Sequence, residues 1–315
     1  MKSKNRGIQC VLFVAGAMAG ISSVEAHGLK SNAPVWSPAQ PVSVNTAAGE
    51  GCPIETPDGL SLFFASNRAG GVGANALNDI WVADRDSLTS PWKEPKNIGE
   101  PINTIAADFC PTPVGRSLYF VSERATTPDG GTPCGGGDMY LTRQSPTGGW
   151  GSPVLLKCAP EGPNFPGGER SPSLVETWFG TFLFYSSSGH GAQQDIYVSH
   201  MGPDGNFGPG KLVKDLSTPE YNEIMPNVRA RDDGSFEIVF SSDRPNWGKK
   251  NKPAFGMQDV YYSRSFWLTG MWSPPENLGE NINGALNDQR STLSNDGKRL
   301  YLGKGPDMFV SERKR

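Results

Sequence analysis

The chain has only three histidines in 315 residues, His27, His190 and His200. No His-x-x-x-His or Cys-x-x-Cys spacing occurs, so no zinc site of ordinary spacing is encoded. Gly-x-Ser-x-Gly is missing too, which removes the nucleophile elbow of serine hydrolases. Ser186, Ser187 and Ser188 precede His190, but serine recurs at that strand end in other units, which argues for structure. No stretch outside the N-terminus has a helical period. Beyond residue 26 the only basic runs are Lys249-Lys250-Asn251-Lys252 and Arg313-Lys314-Arg315. Nucleic acid is therefore not an expected partner.

Residues 1–26 read as a secretory signal peptide. Lys2, Lys4 and Arg6 form the basic start, an apolar stretch follows from Ile8 to Ile21, and Val24-Glu25-Ala26 fits a small-x-small cleavage site. The apolar run is short for a membrane span, which needs about 20 residues. Cleavage would leave no stable membrane span. It would leave 26 basic and 31 acidic residues, a formal charge of −5. The expected location is the periplasm or the exterior. Residues 27–315 are expected to form one domain.

What the chain has in plenty is turn chemistry, with 39 glycines and 27 prolines, and a pattern repeated five times. Each copy opens with an acid: Glu50, Asp108, Glu169, Glu223 and Asp288. These fall 58, 61, 54 and 65 residues apart. Each unit carries four short strand signals, in the first unit at residues 52–56, 60–66, 79–83 and 92–98. The second strand reads LSLFFAS, SLYFVS, TFLFYSS, FEIVFSS and RLYLGK; the third begins at Asp79, Asp138, Asp195, Asp259 and Asp307. Aromatic and β-branched residues dominate both, as strands require. PDGL, DDGS and NDGK place Asp-Gly in the first hairpin turn of three units, where positive φ is needed. Four antiparallel strands per unit, repeated radially, give an all-β, five-bladed β-propeller.

The ends support ring closure. The last unit stops after its third strand, DMFVSE, while WSPAQPVSV at residues 36–44 matches the fourth strands beginning at Trp92, Trp150, Phe207 and Trp272. The N-terminal segment is thus expected to close the last blade and leave no open edge.

The repeat resembles the WD40-like β-propeller repeat of TolB-type periplasmic proteins. The resembling residues are Thr56-Pro57-Asp58-Gly59, the strand ends Ser66-Asn67-Arg68, Ser122-Glu123-Arg124 and Ser242-Asp243-Arg244, and the strand from Asp195 to Val198. The resemblance implies the fold; it does not choose a function.

Outside the signal segment four cysteines remain, Cys52, Cys110, Cys134 and Cys158. An even number in an exported chain suggests disulfides, with three possible connectivities. Cys52 and Cys110 hold the same repeat position in adjacent units, which favours 52–110 with 134–158.

Propeller architecture puts the five acids and the long loops on one face. A ring of carboxylates at about 4 Å would repel by roughly 4 kcal/mol per pair at an effective dielectric near 20. Basic residues stand ready on the same face: Arg68, Arg124 and Arg244 at strand ends, Arg170 and Arg290 beside two acids, with His190 and Lys304 at corresponding places. The bland reading is that these tie blades together, and that the Asp before each third strand caps a loop. Asn45, Asn103, Asn164 and Asn283, each five residues before an acid, suit bonds to loop backbone or to the acid itself. The sharper reading is a polar ligand site built from the acids and bases, with Phe109, Phe165, Trp247 or Phe255 available for stacking.

Three functions fit these residues. The first is a non-catalytic binding module for a glycan, another small polar molecule or an envelope protein. The second is a carboxylate-based glycoside hydrolase, against which the near-equivalence of the acids counts. The third is a structural propeller with Ca²⁺ at the acids, though no dedicated calcium loop is visible; otherwise no cofactor is expected.

Overall fold

The computed structural model describes residues 32–73, 77–189, 191, 193–245 and 254–314. It is a five-bladed propeller. Each blade is a four-stranded antiparallel sheet. The inner strands are Glu50–Glu55, Asp108–Val114, Glu169–Thr177, Glu223–Ala230 and Asp288–Leu293. All five begin at the repeated acid, and each touches the inner strands of both neighbours, so the ring is closed. The outer strands are only two residues long in every blade, as at Lys96–Asn97. Proline-rich flanks keep the remainder of those segments out of the ladder.

Closure follows the expected route. Gln40 and Pro41 pair with Val310 and Phe309 of the third strand of blade five. Trp36 bridges Arg313 and is fully buried.

Alternation along the strands builds the core. In blade one, Leu62 and Phe64 face Tyr301 and Met308 of blade five. Phe63, between them, joins Leu118, Phe120 and Tyr140 of blade two. The same two-sided burial recurs round the ring, giving five apolar clusters, one per blade interface. Strands buried on both faces need this run of large side chains.

On the face of the Asp-Gly turns, buried carboxylates tie blades together. Glu55 of blade one accepts Arg299 of blade five at 2.9 Å. Glu237 holds Arg229, Arg231 and Arg313 at 2.7 to 3.0 Å. Buried charges survive when fully paired in this way.

Both expected disulfides are present. Cys52–Cys110 joins the inner strands of blades one and two, and Cys134–Cys158 ties a loop of blade two to its outer segment.

Candidate functional site

Each of the five acids holds its own entering loop. The backbone N–H of Thr46 donates to Glu50, Thr104 to Asp108, Phe165 to Glu169, Thr218 to Glu223 and Gly284 to Asp288. The serine ending the second strand donates from below in three blades: Ser66 to Glu50, Ser187 to Glu169 and Ser242 to Glu223. The carboxylates therefore lie in the blade walls, and none lines the cavities along the axis. Among the described residues, no group of three or more His, Cys, Asp or Glu converges as a metal site.

The basic residues divide into two sets. Arg68, Arg124, Arg244 and Lys304 each pair with the acid of their own blade, at 3.0, 3.1, 3.1 and 2.5 Å. Arg68 also donates to Val44 O, and Arg124 to Ile102 O, which fastens each to the loop arriving from the preceding blade. The asparagines bind loop backbone. Asn103 accepts from Ile80 N and donates to Ile80 O, and Asn164 does the same with Met139, Asn283 with Val260 and Asn45 with Met308. The third-strand aspartates cap loops: Asp79 accepts from Val72 N, Asp138 from Cys134 N, and Asp259 from Phe255 N.

Blade three departs from this scheme. Its second strand ends Ser187-Ser188-Gly189, with no arginine two residues on. Glu169 receives Phe165 N–H at 2.9 Å and Ser187 Oγ at 2.8 Å, both on one oxygen, while its Oε2 is buried without a partner. Burial without a paired cation raises its pKa to about 8. Glu223, also buried, is raised to about 7, with Arg244 opposing the shift. Burial raises Asp108 and Asp288 as well, each against its own cation. At neutral pH Glu169 is thus the ring acid best placed to hold a proton. His190 and Trp247 lie outside the described residues.

The axis is lined by residues two positions past each acid. Cys52, Cys110, Ser171, Met225 and Arg290 have φ of 51, 50, 51, 57 and 58°, a left-handed conformation rare for residues other than glycine. Register slips at each: between Gly51 and Ile54 in blade one, and at the matching points of the other four. Five β-bulges thus turn five side chains onto the axis. They enclose a gap of about 20 Å³, which the Cys52–Cys110 bridge helps to close. Sequence reading singled out Cys52, Cys110 and Arg290 but not their place on the axis, and missed Ser171 and Met225. The available signal was the proline after the bulge in four units (Pro53, Pro111, Pro172 and Pro226), because proline within a ladder marks an unpaired site.

On the acid face, above this constriction, lies a mouth of about 310 Å³. Arg170, Arg290, Glu123, Phe109, Asn67 and Asn78 line it. Arg170 lies 5.0 Å from the Phe109 ring centre and 3.5 Å from Glu123, whose side chain is 43% exposed. Arg170 also donates to the backbone carbonyl of Glu169 at 2.7 Å. Arg170 and Arg290 thus meet at the mouth, apart from the ring acids. Phe165 is buried against Tyr197, and Phe255 is exposed. Glu123, inside a Ser-x-Arg motif, was not singled out from sequence, since its neighbours Ser122 and Arg124 carry the repeat.

No family model and no curated protein matches the chain. Solved structures do match in fold. A thermostable family-43 glycoside hydrolase superposes with a TM-score of 0.54 at 14% identity, covering 87% of this chain and 92% of its own. An α-L-arabinofuranosidase from Podospora anserina, in complex with cellotriose, gives 0.56 at 11%, covering 90% and 97%. An N-acetylgalactosamine deacetylase from F. plautii, in complex with blood group B trisaccharide, gives 0.53 at 12%, covering 90% and 95%. At these identities the likeness is one of fold.

One expectation holds for the fold alone and one is corrected. The propeller that the TolB-type resemblance implied is present, while the solved structures named above are a glycoside hydrolase, an α-L-arabinofuranosidase and a deacetylase. The non-catalytic binding module, placed first on sequence, is overturned: the neighbours on this fold include glycoside hydrolases and arabinanases, the class placed second. The physical objection to a hydrolase was that five equivalent acids offer no specialised proton donor. That objection falls as well, since Glu169 is unlike the other four.

Proposed function

We propose that the chain is a carbohydrate-active enzyme of glycoside-hydrolase type, working on a glycan at the acid-face mouth. The observation that carries this reading is Glu169, a buried carboxyl without a cation, which keeps its proton at neutral pH as a general acid must. Glu123 is the solvent-facing carboxylate of the mouth, which Glu169 itself does not line; Arg170 pairs with the Glu123 carboxylate and donates to the Glu169 backbone carbonyl, linking the two. Glycoside hydrolysis needs one protonated and one ionised carboxyl. In this scheme Glu169 gives its proton to the leaving oxygen, and the Glu123 carboxylate activates the attacking water or attacks the sugar itself. Glu169 is closed to solvent, so turnover requires the loop at Phe165–Gly168 to move aside.

The finer expectations from sequence belong to the same proposal. Residues 1–26 are removed on export, the repeat is of TolB type, and the mature protein works in the periplasm or outside the cell. Two disulfides suit an oxidising compartment. No helix among the described residues is long and apolar enough to cross a membrane.

The test is turnover on arabino-, xylo- and galacto-oligosaccharides by wild type, Glu169→Gln and Glu123→Gln. Activity in the wild type, with a loss of at least about 100-fold in each folded variant, supports the assignment. A Glu169→Gln protein that still turns over at the wild-type rate removes Glu169 as proton donor. A wild type inert on all these glycans counts against the class.

A further inference from the structure

Arg290 is an unusual cation among the described residues. Its Nε is buried without a partner, and no described residue offers its guanidinium a hydrogen bond or ion pair. Arg231, Arg264 and Arg313 also bury an Nε, but each holds a carboxylate through another nitrogen. The left-handed bulge at φ 58° carries Arg290 away from Asp288 and onto the axis. There it faces a second guanidinium, Arg170, across the mouth. The two cations are balanced by one exposed carboxylate, Glu123. Burial and the neighbouring Arg170 lower the Arg290 pKa to about 10, so it stays charged at neutral pH. An arginine fork with free donors, opening on a 310 Å³ cavity, is suited to paired hydrogen bonds with an oxyanion. The floor is shaped to receive the fork: Gly51 has no side chain where a Cβ would lie 2.5 Å from Arg290 Nη1.

Resting on the carbohydrate reading above, we propose that Arg290 and Arg170 form the receptor for an oxyanion borne by the sugar, a carboxylate or a sulfate ester. The substrate class is then an acidic glycan. The carboxylates of the blade walls, each already satisfied or protonated, do not compete for the fork.

Isothermal titration with galactose, galacturonate and galactose 6-sulfate tests this on the intact protein. At least one charged sugar should bind about tenfold or more tightly than galactose, and the preference should shrink as salt rises. It should vanish in Arg290→Met. Gly51→Ala is a second variant that displaces the guanidinium while leaving its charge, and it should weaken the same preference if Arg290→Met fails to fold. A preference for galacturonate alone identifies a carboxylate; for galactose 6-sulfate alone, a sulfate ester. No preference over galactose, or one that survives both variants, overturns the proposal. The two readings separate cleanly. Charged-sugar preference without hydrolysis of any glycan keeps the anion site and removes the hydrolase. Hydrolysis of neutral oligosaccharides, with no charged preference, does the reverse.

Discussion

Glu169 sets a pH dependence whose direction Glu223 shares, with the higher folded pKa of the two. Its folded pKa of about 8 lies above the ordinary value of 4.5. The folded protein then binds this proton more tightly than the unfolded chain. The contribution is complete below about pH 4.5 and is lost as pH rises through about 8. Glu169→Gln cannot ionise, so its melting temperature should match the wild type near pH 4.5 and exceed it near pH 9. Melting curves of both proteins across that range check this, and parallel profiles would show an ordinary carboxyl. Asn103 gives a residue-scale prediction of another kind. Removing its amide in Asn103→Ala orphans the buried Ile80 N–H, while Ile80 O keeps Ile98 N–H as a donor. The cost should be about 1–3 kcal/mol in denaturant unfolding.

The element that decides the site is the bulged inner strand. A bulge adds one residue and re-aims the side chains after it, so the residue two past the acid, not the acid, reaches the axis. The tightly held conformation at Ser171 (φ 51°) gives a direct check. Ser171→Val, β-branched at positive φ, should cost about 2 kcal/mol, while Ser171→Gly should stay within about 1 kcal/mol of the wild type. Urea midpoints of the two variants decide it. This element also marks the limit of what could be read from the residues alone. Strand spacing, Asp-Gly turns and alternation of Leu62, Phe63 and Phe64 made the propeller legible, because period-two burial is a local signal. The matching of WSPAQPVSV to other fourth strands made the closure legible too. The axis was not, because a bulge breaks the alternation on which side-chain direction is read. The acids looked like a ring of ligands since nothing in a repeat tells which carboxylates the loop N–H groups already hold. Glu169 was equally hidden: its distinction is a missing arginine two residues after Ser187, visible only once that arginine's partner in other blades is known.

At the scale of the whole molecule, the ring is held by five apolar interfaces, by carboxylate–arginine ties on the turn face, and by two covalent links. Cys134–Cys158 spans 24 residues. Replacing both cysteines with serine should lower stability by about 3 kcal/mol on the chain-entropy account. Unfolding monitored by fluorescence measures it, and a change under about 1 kcal/mol would mean that the loop is already ordered by its hydrogen bonds. The charge balance at the mouth has a global counterpart. A chain of nearly balanced charge, with 29 basic and 32 acidic residues, that holds the unpaired Arg290 guanidinium on the axis focuses attraction for anions at one opening.

The pairing of Gln40 with Val310 has a consequence in time. The strand Gln40–Pro41 is completed by Asp307–Glu312, so it must wait, unpaired, while all the residues between them are synthesised. Four blades can assemble in order while the fifth stays open. A ribosome stalled near residue 300 would therefore hold a chain with Trp36 uncovered and the last sheet lacking Asp307–Glu312 and most of Arg299–Lys304. The strand Asp307–Glu312 acts as a latch, and its loss should harm the protein far more than its length suggests.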